Sequence, residues 1–230
     1  MSTAVIIGAG DFPRTEYPRL LLRQADVIVC CDNAADAFLK HRDKIFVGPD
    51  GKPLRRDPDA IVGDLDSISK RVRKEYSSII CHVSEQEDND QTKAFHYILS
   101  HYPEVDAIHI LGATGKREVH TIGNMSLLME YARECGACGD PEEGKVFVDM
   151  VSDRATIFAL TDSAELHVGE GRRISVFSPD NSLSIKSTGL EWPLDEVVFD
   201  NWWKATLNRA DNDVVTLDFS HKSIVLIVLE

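Results

Sequence analysis

Short apolar runs rich in β-branched residues punctuate the first half of the chain: Ala4–Ile7, Val27–Cys31, Ala60–Val62, Ile79–Val83 and Ala107–Leu111. Each is too short for an independent helix and is bounded by Gly, Asp or Ser, which predicts buried strands. Helical patterns lie between them, the clearest over Thr92–Ser100 and Ile122–Cys135, where Ile122, Met125, Leu128, Met129 and Ala132 recur at helical spacing. Alternating strands and helices predict a parallel sheet covered by helices. Beyond residue 144 the pattern changes to short strands separated by Gly, Asp, Asn or Pro: Lys145–Met150, Ala155–Leu160, Arg173–Ser178, Ser182–Lys186, Val214–Phe219 and Ser223–Leu229. That spacing predicts a β-sandwich. The expected architecture is therefore an α/β, Rossmann-like parallel-sheet domain over 1–140 followed by an all-β sandwich over 145–230. The junction is expected in the Gly/Pro/Glu-rich stretch 136–144.

Composition narrows the function. The 230 residues carry 25 Lys+Arg against 38 Asp+Glu, a formal net charge of −13, so nucleic acid is an unexpected partner, because that affinity comes from Lys and Arg on phosphates. No apolar run approaches the roughly 20 residues of a membrane span, and the first residues do not read as a signal peptide. The cysteines Cys30, Cys31, Cys81, Cys135 and Cys138 are odd in number and irregularly spaced, which suits a reducing, cytoplasmic setting better than a disulfide framework.

In an open parallel sheet, ligands bind beyond the carboxyl ends of the strands. Here those ends lead into Asp32-Asn33, Gly63-Asp64-Leu65-Asp66-Ser67, Ser84-Glu85-Gln86-Glu87-Asp88-Asn89-Asp90 and Gly112-Ala113-Thr114-Gly115-Lys116-Arg117. Three acidic loops and one Gly-rich basic loop thus converge on one edge. Asp64 and Asp66, two apart in an extended segment, point the same way and suit one Mg²⁺, a hard cation that takes carboxylates, water and substrate phosphates. Gly112 and Gly115 let backbone N–H groups approach a phosphate, and Lys116 and Arg117 add positive charge. The chemistry suggested is metal-assisted phosphoryl transfer. Taken singly, each motif has an ordinary explanation as a turn, a cap or a solvated face; it is their convergence that points to a site.

Other signals are weaker. Gly8-Ala9-Gly10 with Asp32 imitates a dinucleotide fingerprint, but Pro13 stands at the third glycine position. Cys135-x-x-Cys138 has no second pair at zinc spacing. His120, at a helix start after the Gly-rich loop, is the histidine nearest the expected site.

Across nearly its whole length the sequence resembles the thiamine pyrophosphokinase (thiamine diphosphokinase) family. The resemblance rests on Pro58-Asp-Ala-Ile-Val-Gly-Asp-Leu-Asp-Ser-Ile68, Glu85-Gln-Glu-Asp-Asn-Asp-Gln-Thr-Lys-Ala94, Gly112-Ala-Thr-Gly-Lys-Arg117 with His120-Thr-Ile-Gly-Asn124, Thr188-Gly-Leu-Glu-Trp-Pro-Leu194 and Thr206-Leu-Asn208. It implies Mg²⁺-dependent transfer of the β,γ-diphosphate of ATP to the hydroxyl of thiamine, giving thiamine diphosphate and AMP. It also implies a homodimer with thiamine near the subunit interface. By position it makes Asp64, Asp66 and Asp90 the metal and catalytic carboxylates, places Asp32 and Gln86 in the same cleft and Arg117 on phosphate, and assigns Trp192 and Asn208 to the thiamine end. Asn33, Ser67, Gly112, Thr114, Gly115 and Lys116 fall on the nucleotide side with Asp32. An aromatic face suits a cationic thiazolium, although a core Trp of the sandwich would explain Trp192 as well.

Two positions depart from the family pattern. Val119 stands where an Asp is expected, and Asn33 where a Gly follows the Asp, a mild change because Asn tolerates φ > 0. The Val119 change motivates an alternative, a non-catalytic or weakly active thiamine- or nucleotide-binding homologue. An aspartyl-phosphate phosphatase, suggested by Asp64-x-Asp66, fits poorly because Ile68 stands where that loop has Thr or Val.

Overall fold

The apolar runs of the first half form β1 (Ser2–Ile7), β2 (Val27–Cys31), β3 (Ala60–Gly63), β4 (Ile80–His82) and β5 (Val105–Leu111) in a computed structural model, which describes residues 1–135 and 146–230. All pair in parallel, in the order β5-β1-β2-β3-β4. Helices α1 (Glu16–Gln24), α2 (Ala34–Ile45), α3 (Lys70–Glu75), α4 (Asp90–His101) and α5 (Glu118–Cys135) follow or separate the strands. Every residue of β2 and β3 is buried, those pointing to either face alike, which explains why these strands read as unbroken apolar runs. Ala94, Phe95 and Ile98 of α4 are fully buried, and that helix packs on β2 and β3. Full burial of side chains such as Phe95 and Ile98 contributes on the order of 1.5–3 kcal/mol each.

The chain divides into two compact units, Met1–Asn124 with Val151–Asp153, and Met125–Met150 with Arg154–Glu230. The expected junction at 136–144, the start of the expected strand at Lys145, and Cys138 lie outside the described residues. The Ile122–Cys135 helix is present and starts earlier, at Glu118. Leu128 and Ala132 lie on its buried side together with Tyr131, whereas Ile122, expected on the apolar face, is exposed.

In the second unit β6 (Phe147–Val151), β7 (Thr156–Leu160), β9 (Arg173–Phe177), β11 (Ala205–Arg209) and β13 (Val225–Leu229) lie in one sheet in the order β11-β9-β13-β7-β6. A second sheet has the order β10-β12-β8, from β8 (Ala164–His167), β10 (Ile185–Thr188) and β12 (Val214–Phe219). Antiparallel pairing runs through both. Phe158, Leu160, Ile174, Val176, Val225 and Ile227 from the first meet Ile185, Val215 and Leu217 from the second in one buried cluster, which makes the unit a sandwich.

Strands β10 and β13 begin later than the sequence suggests, for one local reason. Asp180 Oδ1 accepts from Ser182 N (2.8 Å) and Ser182 Oγ (2.6 Å), while Oδ2 accepts from Ser223 Oγ (2.7 Å) and lies 2.9 Å from His221 Nε2. The carboxylate draws residues 180–183 into a turn and fixes Ser223, so β10 starts at Ile185 and β13 at Val225. Among the described residues Cys30, Cys31, Cys81 and Cys135 are free thiols, and no helix is long and apolar enough to cross a membrane.

Candidate active site

The carboxyl ends of β2 and β3 place Asp32, Asp64 and Asp66 so that one carboxylate oxygen from each lies within 4.8 Å of the others. Asp32 follows β2 in a left-handed conformation (φ 40°) with its N–H on Val62 O at 2.9 Å. The residue is only 4% exposed. Ser67 Oγ donates to Oδ2, and Oδ1 is buried without a hydrogen-bond partner. A buried anionic oxygen lacking a donor is costly unless a cation meets it.

Asp64 and Asp66 reach this position by a different route from the extended segment expected. Leu65 is left-handed (φ 63°) and buried, so the loop turns, with Asp66 N donating to Asp64 Oδ1 at 3.2 Å. That N–H, with a hydrogen bond from the Gln86 side chain and the charge of Lys93, holds the Asp64 carboxyl below the usual carboxylate range. The Gln86 side chain thus lies at the Asp64 carboxylate.

Asp90 opens α4, which is capped by Asn89 accepting from Thr92 N at 3.0 Å. Burial, and then the charges of Asp32 and Asp64, push the Asp90 carboxyl up. Gly63 explains how the acids come so near: a Cβ there would lie 3.0 Å from Asp90 Oδ1 and 3.1 Å from the Asp32 Cβ. The close triplet of oxygens therefore includes Asp32, and Asp90 stands behind it across Gly63. Lys93, part of the Glu85–Ala94 motif but given no role by it, is 6% exposed with Nζ 3.9 Å from Asp90 Oδ1. Its spacing three residues after Asp90 puts both on one helix face, a signal the sequence did hold. Lys93 thus answers Asp90 and Asp64, while Asp32 and Asp66 crowd Asp64, a surplus of negative charge that suits a further cation. Three hard oxygen donors with one unpartnered buried oxygen could hold a hard divalent cation.

The Gly-rich loop after β5 is fixed to the same edge. Asn89 Nδ2 donates to Asn124 Oδ1 (3.0 Å), and Asn124 Nδ2 to Ala113 O (2.8 Å). The loop after β1 supports it: Gly10 N donates to Gly112 O (2.5 Å), Asp11 N to Thr114 O (2.7 Å) and Lys116 Nζ to Ala9 O (2.5 Å). A Cβ on Gly10 would sit 2.5 Å from Gly112 O and collide with Thr114 O, so these glycines serve loop packing, which accounts for the incomplete dinucleotide fingerprint. Thr114 is half-buried; Gly115, Lys116, Arg117, Val119 and His120 are exposed. Val119, in the first turn of α5, is 75% exposed. Asn33 is exposed before α2 with φ −68°; the left-handed residue there is Asp32, so the expected benefit of Asn at positive φ does not apply.

In the second unit Trp192 is 55% exposed and Asn208 is buried, so Trp192 is no core residue of the sandwich. Asn208 accepts from Trp192 N (3.2 Å) and donates to Trp192 O (2.6 Å).

Comparison with known proteins agrees with this architecture. Residues 18–138 match the family described as thiamin pyrophosphokinase, catalytic domain, and residues 156–226 its substrate-binding domain. Thiamine pyrophosphokinase 1 of Oryza sativa subsp. japonica is 31% identical over 210 residues, covering 84% of this chain and 74% of the relative. Thiamine pyrophosphokinase 1 of Arabidopsis thaliana is 28% identical over 208 residues, covering 83% and 72%. The crystal structure of thiamine pyrophosphokinase from Bacillus subtilis superposes with a TM-score of 0.73 at 18% identity, covering 100% of this chain and 99% of that one. Yeast thiamin pyrophosphokinase gives 0.72 at 17%, covering 100% and 86%. At such identities these structures speak for the fold. With both domain matches in chain order and the rice relative spanning most of its length, the chain belongs to the thiamine pyrophosphokinase family.

Proposed function

We propose that this chain is an ATP:thiamine diphosphotransferase, moving the β,γ-diphosphate of ATP to the hydroxyethyl oxygen of thiamine and releasing AMP. Family membership supports the reaction. The observation that carries the site is the buried, unpartnered Asp32 Oδ1 beside Asp64 and Asp66. Asp32, Asp64 and Asp66 would hold Mg²⁺, with Asp90 as the fourth carboxylate of the group. When bound, that ion would offset the negative charge of the diphosphate.

The chain's own residues do the rest. Ser67 and Gln86 orient Asp32 and Asp64 through their hydrogen bonds. The loop Gly112–Gly115 offers backbone N–H groups to phosphate. Arg117 and Lys116 supply positive charge where the transferring group is most anionic, the contribution expected to weigh most in phosphoryl transfer. Asp32 and Asn33 open α2, whose N-terminus favours an anion. In the transfer, thiamine's hydroxyl oxygen forms a bond to the β-phosphorus as the bond from that phosphorus to the AMP oxygen breaks, and the hydroxyl proton passes to a nearby carboxylate.

We assign the thiamine end to Trp192, its exposed indole against the cationic ring, with Asn208 behind it on the Trp192 backbone. We assign nucleotide and metal to the domain over 1–140, and thiamine binding and dimerisation to that over 145–230, in a cytoplasmic homodimer. The alternative of a non-catalytic homologue rests on Val119 alone, and no other observation favours it. Incubation with thiamine, ATP and Mg²⁺ should yield AMP and thiamine diphosphate in equal amounts. Binding of both substrates with no product above background would sink the proposal. A monomeric mass in sedimentation would refute the dimer.

A further inference from the structure

Strand β11 does not alternate regularly. Ala205 pairs with Val176 and Asn208 with Ile174, so three steps on β11 match two on β9, with a register shift between them. This is a β-bulge. Leu207 occupies it in a left-handed conformation (φ 60°), 75% exposed, its N–H donating to Ser175 Oγ at 2.9 Å. Regular alternation from buried Ala205 would turn Asn208 to solvent. The bulge instead turns Asn208 inward, where it is 5% exposed.

Once inside, the Asn208 amide is almost fully engaged by backbone. Oδ1 accepts from Trp192 N (3.2 Å) and Arg209 N (2.8 Å), and Nδ2 donates to Trp192 O (2.6 Å). Both backbone polar groups of Trp192 are therefore held by one buried side chain, while the residue itself remains 55% exposed. Neighbouring backbone bonds reinforce the clamp: Glu191 N donates to Arg209 O at 2.9 Å, and Leu190 bridges Ala210. An unfavourable left-handed leucine is retained where it aims a buried amide at the backbone of an exposed tryptophan, and such local strain is typical of functional positions.

We propose that Asn208 is a positioning residue: it binds no substrate atom and acts on thiamine through Trp192, fixing the backbone from which the indole projects. The proposal rests on the reading of Trp192 as the residue facing thiamine, and its test separates the two. The protein, labelled with 5-fluorotryptophan, is compared as wild type, Asn208→Ala, Asn208→Asp, Trp192→Ala and the double variant Trp192→Ala/Asn208→Ala. The Trp192 resonance is assigned by its loss in Trp192→Ala.

Asn208→Ala should move or broaden the Trp192 resonance and leave those of Trp202 and Trp203 in place. It should raise the KM for thiamine about tenfold, with a smaller change in kcat. Asn208→Asp keeps both acceptor bonds but sets a buried carboxylate oxygen against Trp192 O in place of the donor, so it should give the same changes at equal or larger size; it carries the test if the alanine variant, which leaves Trp192 N unpaired, does not fold. In the Trp192→Ala background, Asn208→Ala should raise KM less than about twofold further, because residues acting through one another are not additive. A full further tenfold loss in that background, or an unmoved Trp192 resonance in both Asn208 variants, overturns the positioning role. An unchanged thiamine KM in Trp192→Ala overturns instead the assignment of Trp192 on which the role rests.

Discussion

Replacing Asp32 by Asn should stabilise the metal-free protein while weakening its response to Mg²⁺. Asp32 is 4% exposed, its Oδ1 has no donor, and carboxylate oxygens of Asp64 and Asp66 lie within 4.8 Å. At that separation and an effective dielectric of about 20, two like charges repel by roughly 3 kcal/mol. Asp66 is exposed and well screened, and the buried ammonium of Lys93 recovers part of the remainder, so the net relief is about 1–2 kcal/mol. Asn preserves the rest of the site: its carbonyl can accept from Ser67 Oγ, and among non-glycine residues it is one of the best suited to the left-handed backbone at φ 40°. For a chain of this size the relief corresponds to a rise in Tm of about 3–6 °C without metal. Differential scanning fluorimetry of both proteins, with chelator and then with increasing Mg²⁺, reads the two effects. Wild type should gain stability with Mg²⁺, and Asp32→Asn should start higher and gain less. A lower Tm in chelator together with an undiminished Mg²⁺ response would show that the unpartnered oxygen does not await a cation.

The buried Lys93 ammonium lies 3.9 Å from Asp90 Oδ1, so Lys93→Met should lower the metal-free Tm by about 3–6 °C, and excess Mg²⁺ should restore part of it in the same assay. Gly10→Ala would place a methyl group 2.5 Å from Gly112 O; the overpacking should cost about 1–3 kcal/mol and raise the KM for ATP more than that for thiamine in steady-state kinetics. Hydrogen bonds from Ser182, then Ser223 and His221, hold the Asp180 carboxyl far below the usual range, so its contribution is complete above the unfolded carboxylate pKa of about 3.9 and is lost as pH falls below that value. Urea titrations should show Asp180→Ala less stable than wild type by about 1–2 kcal/mol at pH 7, discounted for partial exposure, with the gap narrowing below pH 4. Val119 is 75% exposed in the first turn of α5, where an acidic residue suits the helix dipole; Val119→Asp should leave Tm within about 2 °C, and wild type should already turn over thiamine. A silent wild type made active by that one change would favour the non-catalytic alternative.

The fold was legible wherever one face of an element decided its composition. β2 and β3 are buried on both faces, so their apolar runs admitted only one reading, and β12 matched from end to end because Val215 and Leu217 alternate with more exposed neighbours. Strands β8 and β11 gave no such signal. β8 has no fully buried residue, and β11 carries an exposed leucine in its bulge where alternation requires an inward one. The late starts of β10 and β13 depend on Asp180 bonding to residues up to 43 positions away, which no local pattern encodes.

The site was legible as a set of loops, because strand order alone brings the ends of β2, β3 and β5 to one edge, and it was less legible as a set of partners. Which carboxylates approach most closely depends on two left-handed residues, Asp32 and Leu65, and on Gly63 having no Cβ between Asp32 and Asp90. A sequence shows none of these torsions, so spacing paired Asp64 with Asp66 for a reason the turn at Leu65 replaces, and Asp32 joined the triplet through backbone conformation. The same applies to Asn208, whose amide the bulge turns from solvent towards Trp192. Residue type therefore announced the chemistry, carboxylates for a cation and an aromatic for a cationic ring, while backbone strain at a few positions decided which of those residues act together. Those strained positions are where substitutions that preserve charge and size, but not conformation, should have their largest effects.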